Sequence, residues 1–118
     1  MLPNVYQILR SNANVLSIVS NRIYRHGSAP QDVQKPYITW VLSSGQPENV
    51  LNASPCFDRN VVQIDCWSET DTGVETLAYA VRDAIDSVMA SNRFTVNLRE
   101  TDTKLYRMTI EADFIASR

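Results

Sequence analysis

The stretch LYRMTIEADFIA, residues 105–116, alternates strictly: Tyr106, Met108, Ile110, Ala112 and Phe114 fall to one side, Arg107, Thr109, Glu111 and Asp113 to the other. A period of two sustained over ten residues is a β-strand with one face in a core and one in water, as in an antiparallel sheet covered on a single side. Residues 59–68 repeat the pattern, with Val62, Ile64 and Cys66 set against Val61, Gln63, Asp65 and Trp67. Residues 94–100 alternate Phe94, Val96 and Leu98 with Thr95, Asn97 and Arg99, and Thr101-Asp102-Thr103 reads as the turn into the last strand. Tyr37-Ile38-Thr39-Trp40-Val41-Leu42 supplies a further strand after Pro36, and Ile23-Tyr24 a brief extended piece.

The cover for that sheet is equally plain. Val74, Leu77, Ala78, Val81, Ile85, Val88 and Met89 form one apolar stripe, with Arg82, Asp83, Asp86 and Ser87 opposite, which predicts an amphipathic helix over 72–90. Thr72 and Glu75 have the spacing of a capping box, and Asp71 adds favourable negative charge at the helix start. Upstream, Leu2, Val5, Tyr6, Leu9, Ala13 and Leu16 keep one helical face apolar. Pro3 suits a first turn, and the cap-forming residues 11–14 divide the region into two short helices ending near Asn21. The order of helices, strand, strand, long helix, strand, strand predicts an α+β fold. It is a mainly antiparallel sheet of about four strands, with the long helix and the shorter N-terminal helices packed on one face, in a single domain spanning 1–118. Residues 43–58, with Gly45, Pro47 and Pro55, read as a long connection of the kind that carries function.

Composition narrows the function classes. The chain has 118 residues, 44% hydrophobic and 20% charged, with eleven Lys or Arg against thirteen Asp or Glu and a formal charge of −2. That balance argues against an electrostatic nucleic-acid or anionic-membrane binder. Three glycines, one histidine and two cysteines exclude a glycine-rich phosphate cradle, a zinc finger and a disulfide scaffold. Nine of the eleven basic residues are arginine, which suits planar pairing across protein surfaces. Met1-Leu2-Pro3-Asn4 lacks the features of a secretory signal and no run reaches the ~18 apolar residues of a membrane span, so synthesis in the cytoplasm without a membrane partner is expected. Cys56 and Cys66 are then expected as free thiols, one of them buried.

Catalytic groups are scarce. His26, between Arg25 and Gly27, reads as a solvated loop residue with no partner to make it a base or ligand. Cys56 follows Pro55 with no feature to lower its pKa. Arg22 and Arg25 bracket Tyr24, but no basic stripe or stacking pair accompanies them. The one acidic concentration is Asp65, Glu111 and Asp113, which share the outward face if their strands pair. Three readings follow: a divalent-metal or acid–base site, the polar side of an amphipathic sheet, or a wet, charge-matched surface of Gln63, Asp65, Arg107, Glu111 and Asp113 against another protein subunit. The last fits best, and elimination favours an interaction or assembly protein over an enzyme, with no catalytic residue, cofactor or metal expected.

Several segments together resemble a known family. Asn21-Arg22-Ile23-Tyr24, Ala29-Pro30-Gln31 and Lys35-Pro36-Tyr37-Ile38 are similar to the opening of the phage tail-completion, or tail-terminator, family. The strand 61–68, the helix segment Leu77-Ala78 through Val81-Arg82-Asp83-Ala84-Ile85, and Leu105-Tyr106-Arg107 to Asp113-Phe114 resemble its later strands and helix in the same order. Lys35 and Glu111 depart from the family pattern at surface positions.

The resemblance implies a virion protein that caps the head-proximal end of a tail tube, ends its polymerisation and presents a head-docking surface, usually as a hexameric ring. Implied partners are further copies of itself, the tail tube protein and a head-completion or connector protein, with DNA passing through the channel without specific binding. The 43–58 loop, with Val50 and Leu51 as apolar anchors, and the face carrying Arg59, Gln63, Asp65, Arg107, Glu111 and Asp113 are the expected contact residues. The alternatives are a head-completion or connector component, or a small metal-dependent hydrolase using Asp65, Glu111 and Asp113.

Overall fold

The structure is a computed structural model that describes residues 4–25, 28–48 and 57–117. Two short helices open the chain. In α1 (Val5–Arg10) the Asn4 side chain accepts from the Gln7 amide; in α2 (Ala13–Val19) Asn12 Oδ1 accepts from the amides of Asn14 and Val15. Each asparagine satisfies amides that a helix start otherwise leaves without partners, so cap chemistry sets both boundaries. The remaining elements are β1 (Ile23–Arg25), β2 (Tyr37–Glu48), β3 (Phe57–Ser68), α3 (Asp71–Ser87), β4 (Ser91–Arg99) and β5 (Tyr106–Ser117).

The five strands form one sheet in the order β1-β2-β3-β5-β4, antiparallel except for β1, which runs parallel to β2. The expected α+β architecture is present with one strand more than expected, because Ile23–Arg25 pairs with Ile38, Thr39 and Trp40. The inward face of the sheet holds Ile38, Val62, Ile64, Cys66, Ile110 and Ala112 against Val74, Leu77, Val81 and Ile85 of α3 and Val5, Leu9, Val15 and Val19 of the first helices, all at most 1% exposed. The helices lie on that face alone, so the outward face is left open by the described elements.

Two expectations about the long helix change. The capping residue of α3 is Thr70, not Thr72: its Oγ1 accepts from the Gly73 amide at 3.0 Å, and Ser68 Oγ accepts from the Thr70 amide. A Cβ on Gly73 would fall 2.5 Å from Thr70 Oγ1 and 2.6 Å from Ser68 Oγ, so this cap depends on glycine. The helix also stops at Ser87, before the end of the apolar stripe. Met89 takes a left-handed φ of 60° and the Ala90 amide turns back to the Ile85 carbonyl, leaving Val88 and Met89 exposed.

The connection read at 43–58 is largely a hairpin. β2 continues to Glu48 and β3 starts at Phe57, with Gln46 opposite Arg59 and Pro47 opposite Asp58. Gly45 and Pro47 look like breakers in isolation. Beyond Trp40, however, β2 has no described neighbour on its β1 side, and a proline is tolerated along an open strand edge. Val50, Leu51 and Cys56, like His26, lie outside the described residues.

In β4 the alternation shifts at Thr95. Phe94 opposes Ile110 but Val96 opposes Thr109, and one extra residue reverses the faces of everything after it. Phe94 therefore packs inward, edge-on to Tyr79, whereas Val96 and Leu98 turn outward instead of joining it in the core.

Candidate interaction surface on the open sheet face

Strand register assembles the outward face row by row. Tyr37 of β2, Trp67 of β3, Arg107 of β5 and Leu98 of β4 are successive cross-strand neighbours. The rings of Tyr37 and Trp67 stack with centroids 5.9 Å apart and planes 9° from parallel, and Tyr24 meets Tyr37 edge-on at 6.4 Å. The Arg107 guanidinium lies 5.6 Å from the centre of the Trp67 ring while its Nε is 3.2 Å from Glu100 Oε1. Burial raises the Tyr37 phenol above its ordinary value, so the ring stays uncharged in this row.

The next row is polar and closed on itself. Thr39, Asp65, Thr109 and Val96 are neighbours in register. Trp67 Nε1 donates to Thr39 Oγ1 at 3.0 Å, the Thr109 hydroxyl donates to Asp65 Oδ1, and Gln63 Nε2 donates to Asp65 Oδ2 at 3.3 Å. Asp65 is 8% exposed and Thr109 2%, so the carboxylate is held by hydrogen bonds in place of water. In the third row Arg93 of β4 pairs with Glu111 and reaches Asp113 at 4.0 Å. Beside the first row opens a cavity of about 370 Å³ walled by Pro30, Gln31, Val33, Lys35, Tyr37 and Leu105 among others.

Five of the sequence-predicted contact residues therefore share one face: Gln63, Asp65, Arg107, Glu111 and Asp113. Arg59 joins the same strand, its backbone opposite Gln46 and Ile115. The three carboxylates of the hydrolase reading, Asp65, Glu111 and Asp113, are not gathered into a metal site. Asp65 is occupied by Thr109 and Gln63, the other two by Arg93, and among the described residues no group of three His, Cys, Asp or Glu side chains is placed to hold a metal ion. Cys66 sits fully buried on the inward face, and burial, reinforced by the Asp65 charge, pushes its thiol far up.

Sequence reasoning missed Tyr24, Tyr37, Val96, Leu98 and Arg93 as members of this face. Alternation had placed Trp67 there without a role. The β2–β3 register is needed to see the Tyr37–Trp67 stack, and the bulge at Thr95 hides Val96 and Leu98. The arginine excess also acquires a use within the subunit. Arg25, Arg82, Arg99 and Arg107 lie over the rings of Trp40, Phe94, Tyr106 and Trp67 at 5.2–5.6 Å, and Arg22 donates to the Pro36 and Ile18 carbonyls. No described helix is long and apolar enough to cross a membrane.

A family model described as "Tail completion protein gp17" matches residues 3–117. Among solved structures, a chain from the "Virion of native gene transfer agent (GTA) particle" superposes with a TM-score of 0.65 at 16% identity, covering 95% of this chain and 92% of that one. At that identity the likeness speaks for the fold. The search of curated proteins returns no match.

Proposed function

The chain belongs to the tail completion protein gp17 family, a phage tail structural protein, and from that premise we propose that it caps the head-proximal end of a tail tube. It acts there as a hexameric ring that ends tube polymerisation, presents the docking surface for the head and leaves a channel for DNA. The observation that carries this reading is the open sheet face. It joins stacked aromatic rings and an arginine to a band of polar groups already paired with one another, so it meets a protein surface with little reordering. Tyr and Trp with Arg are the residue types that dominate binding energy at protein interfaces. The role is structural, without catalytic residue or cofactor, and the net charge of −2 gives passing DNA no electrostatic trap.

The open face, with Gln63, Asp65, Arg107, Glu111 and Asp113, is the surface offered to the tail tube protein. Similarity to a chain of a gene transfer agent virion supports a place in the particle. The test is electron microscopy of tails assembled with and without the chain, with gold-labelled antibody against it. Uniform tails with label at one end of headless tails support the reading. Label on tailless heads alone assigns the chain to the connector instead.

A further inference from the structure

The cavity beside the aromatic row lies where three neighbouring strands begin or end. Its wall comes from the segment leading into β2, from Tyr37 at the start of β2, from Glu69 just past β3 and from Leu105 just ahead of β5. Val33 and Leu105, 8% and 7% exposed, make its apolar part. The Val33 amide donates to the Pro30 carbonyl at 3.2 Å, so the chain's own backbone holds this wall in a turn. At about 370 Å³ the space falls within the roughly 300–1,000 Å³ of pockets that take a ligand.

Two charged side chains wall this cavity, and the fold uses neither. Lys35 is half-buried and Glu69 exposed; they do not pair with each other, and neither side chain has a hydrogen-bond or ion-pair partner among the described residues. On the neighbouring face the charges are matched: Arg93 with Glu111, Arg107 with Glu100, and Asp65 with Thr109 and Gln63. The cavity thus offers one cation and one anion beside an apolar wall. A simple ion satisfies one of the two and is repelled by the other. Tyr37 belongs both to the cavity and to the stack with Trp67, so a chain lying along the aromatic row meets the cavity at its end.

We infer that the cavity receives an extended segment of the tail tube protein, with an apolar side chain against Val33 and Leu105, a basic residue toward Glu69 and an acidic residue toward Lys35. In an extended chain alternate side chains point the same way about 7 Å apart, so a charged–x–apolar–x–charged pattern presents all three to the cavity. Charge complementarity at such a mouth selects the segment and speeds its docking more than it adds affinity. The tail tube as the source rests on the capping function proposed above, whereas the chemistry of the segment rests on the lining of the cavity.

The test is an NMR titration of the full, isotope-labelled chain with the capped peptide Thr-Lys-Thr-Leu-Thr-Glu-Thr, up to about 5 mM so that weak binding is read. The peptide is expected to move the amide signals of Val33, Tyr37 and Leu105. Replacing its leucine by serine, or both its charged residues by glutamine, weakens binding roughly tenfold. Lys35→Gln with Glu69→Gln weakens the charged peptide to a similar degree and leaves the glutamine peptide unaffected. Absent shifts, equal binding of all three peptides, or free leucine, lysine and glutamate binding as well as the peptide overturns the inference. So does a double variant that loses self-association but binds the peptide as wild type does, which gives the cavity to a second copy. Capping of tubes separates source from site. A double variant that caps like wild type removes the tail tube as the source, and capping by a chain that ignores the peptide overturns the cavity inference alone. A chain that binds the peptide as expected but never caps tubes overturns the tail reading and leaves the segment chemistry standing.

Discussion

The Thr109 hydroxyl donates to Asp65 across the β3–β5 ladder, joining residues 44 positions apart on a face that no described helix covers. A carboxylate that is only 8% exposed depends on such donors. Thr109→Val is isosteric but removes the donor, leaving Asp65 to Gln63 alone. Urea unfolding is expected to show a loss of about 1.5–3 kcal/mol, the range for hydrogen bonds to charged groups. In an Asp65→Leu background, where no carboxylate remains, the same change costs far less.

The α3 cap gives a sign that runs against helix propensity. Alanine normally favours a helix over glycine by about 1 kcal/mol. At Gly73 its Cβ would displace Thr70 Oγ1 and Ser68 Oγ, so Gly73→Ala is expected to destabilise by about 1 kcal/mol, as for a lost N-cap. Thr70→Ala costs a similar amount, and the double variant is clearly less than additive in thermal unfolding.

Cys66 predicts the pH dependence. Its thiol is raised by burial, so the folded state retains the proton that the unfolded chain releases near pH 8.5. Its contribution is complete below that pH, and above it stability falls by up to about 1.4 kcal/mol per pH unit. Tyr37, also raised by burial, adds to the slope only above about pH 10. Cys66→Ala removes the first component, a difference visible in unfolding curves at pH 7.5 and 9.5. In a Cys56→Ser background the native protein resists thiol reagents until it unfolds.

The bulge at Thr95 separates residues that alternation groups together. Phe94→Ala, which empties a site packed against Tyr79 and the core, is expected to cost about 2–3 kcal/mol. Leu98→Ala, on the open face, stays within about 0.5 kcal/mol. Equal losses at the two positions would return Leu98 to the core.

What could be read from the chain follows from which strands are regular. β3 and β5 pair without interruption from Phe57–Ser117 to Ser68–Tyr106, so alternation alone placed Gln63, Asp65, Arg107, Glu111 and Asp113 on one face. The helical stripe of α3 was legible for the same reason. Features set by pairing between distant strands were not. The Tyr37–Trp67 stack needs the β2–β3 register, the turning-out of Val96 and Leu98 needs the bulge against β5, and the strand character around Pro47 needs knowledge of an open edge. Thr72 and Glu75 satisfied the cap pattern, yet the chain bends earlier because Ser68 and Thr70 offer their oxygens first.

The central claim is that the aromatic and charged open face seats this chain on the end of a tail tube. The most direct measurement is electron microscopy of tubes polymerised from tail tube protein with wild type, Trp67→Ala with Arg107→Ala, or Leu98→Asp, each variant first shown to unfold cooperatively. The account predicts a ring at one end of tubes of limited length with wild type. It predicts capping weakened by roughly tenfold or more with either variant, as expected where Trp and Arg anchor an interface. Variants that cap as well as wild type, or tubes whose ends never carry the protein, would contradict it.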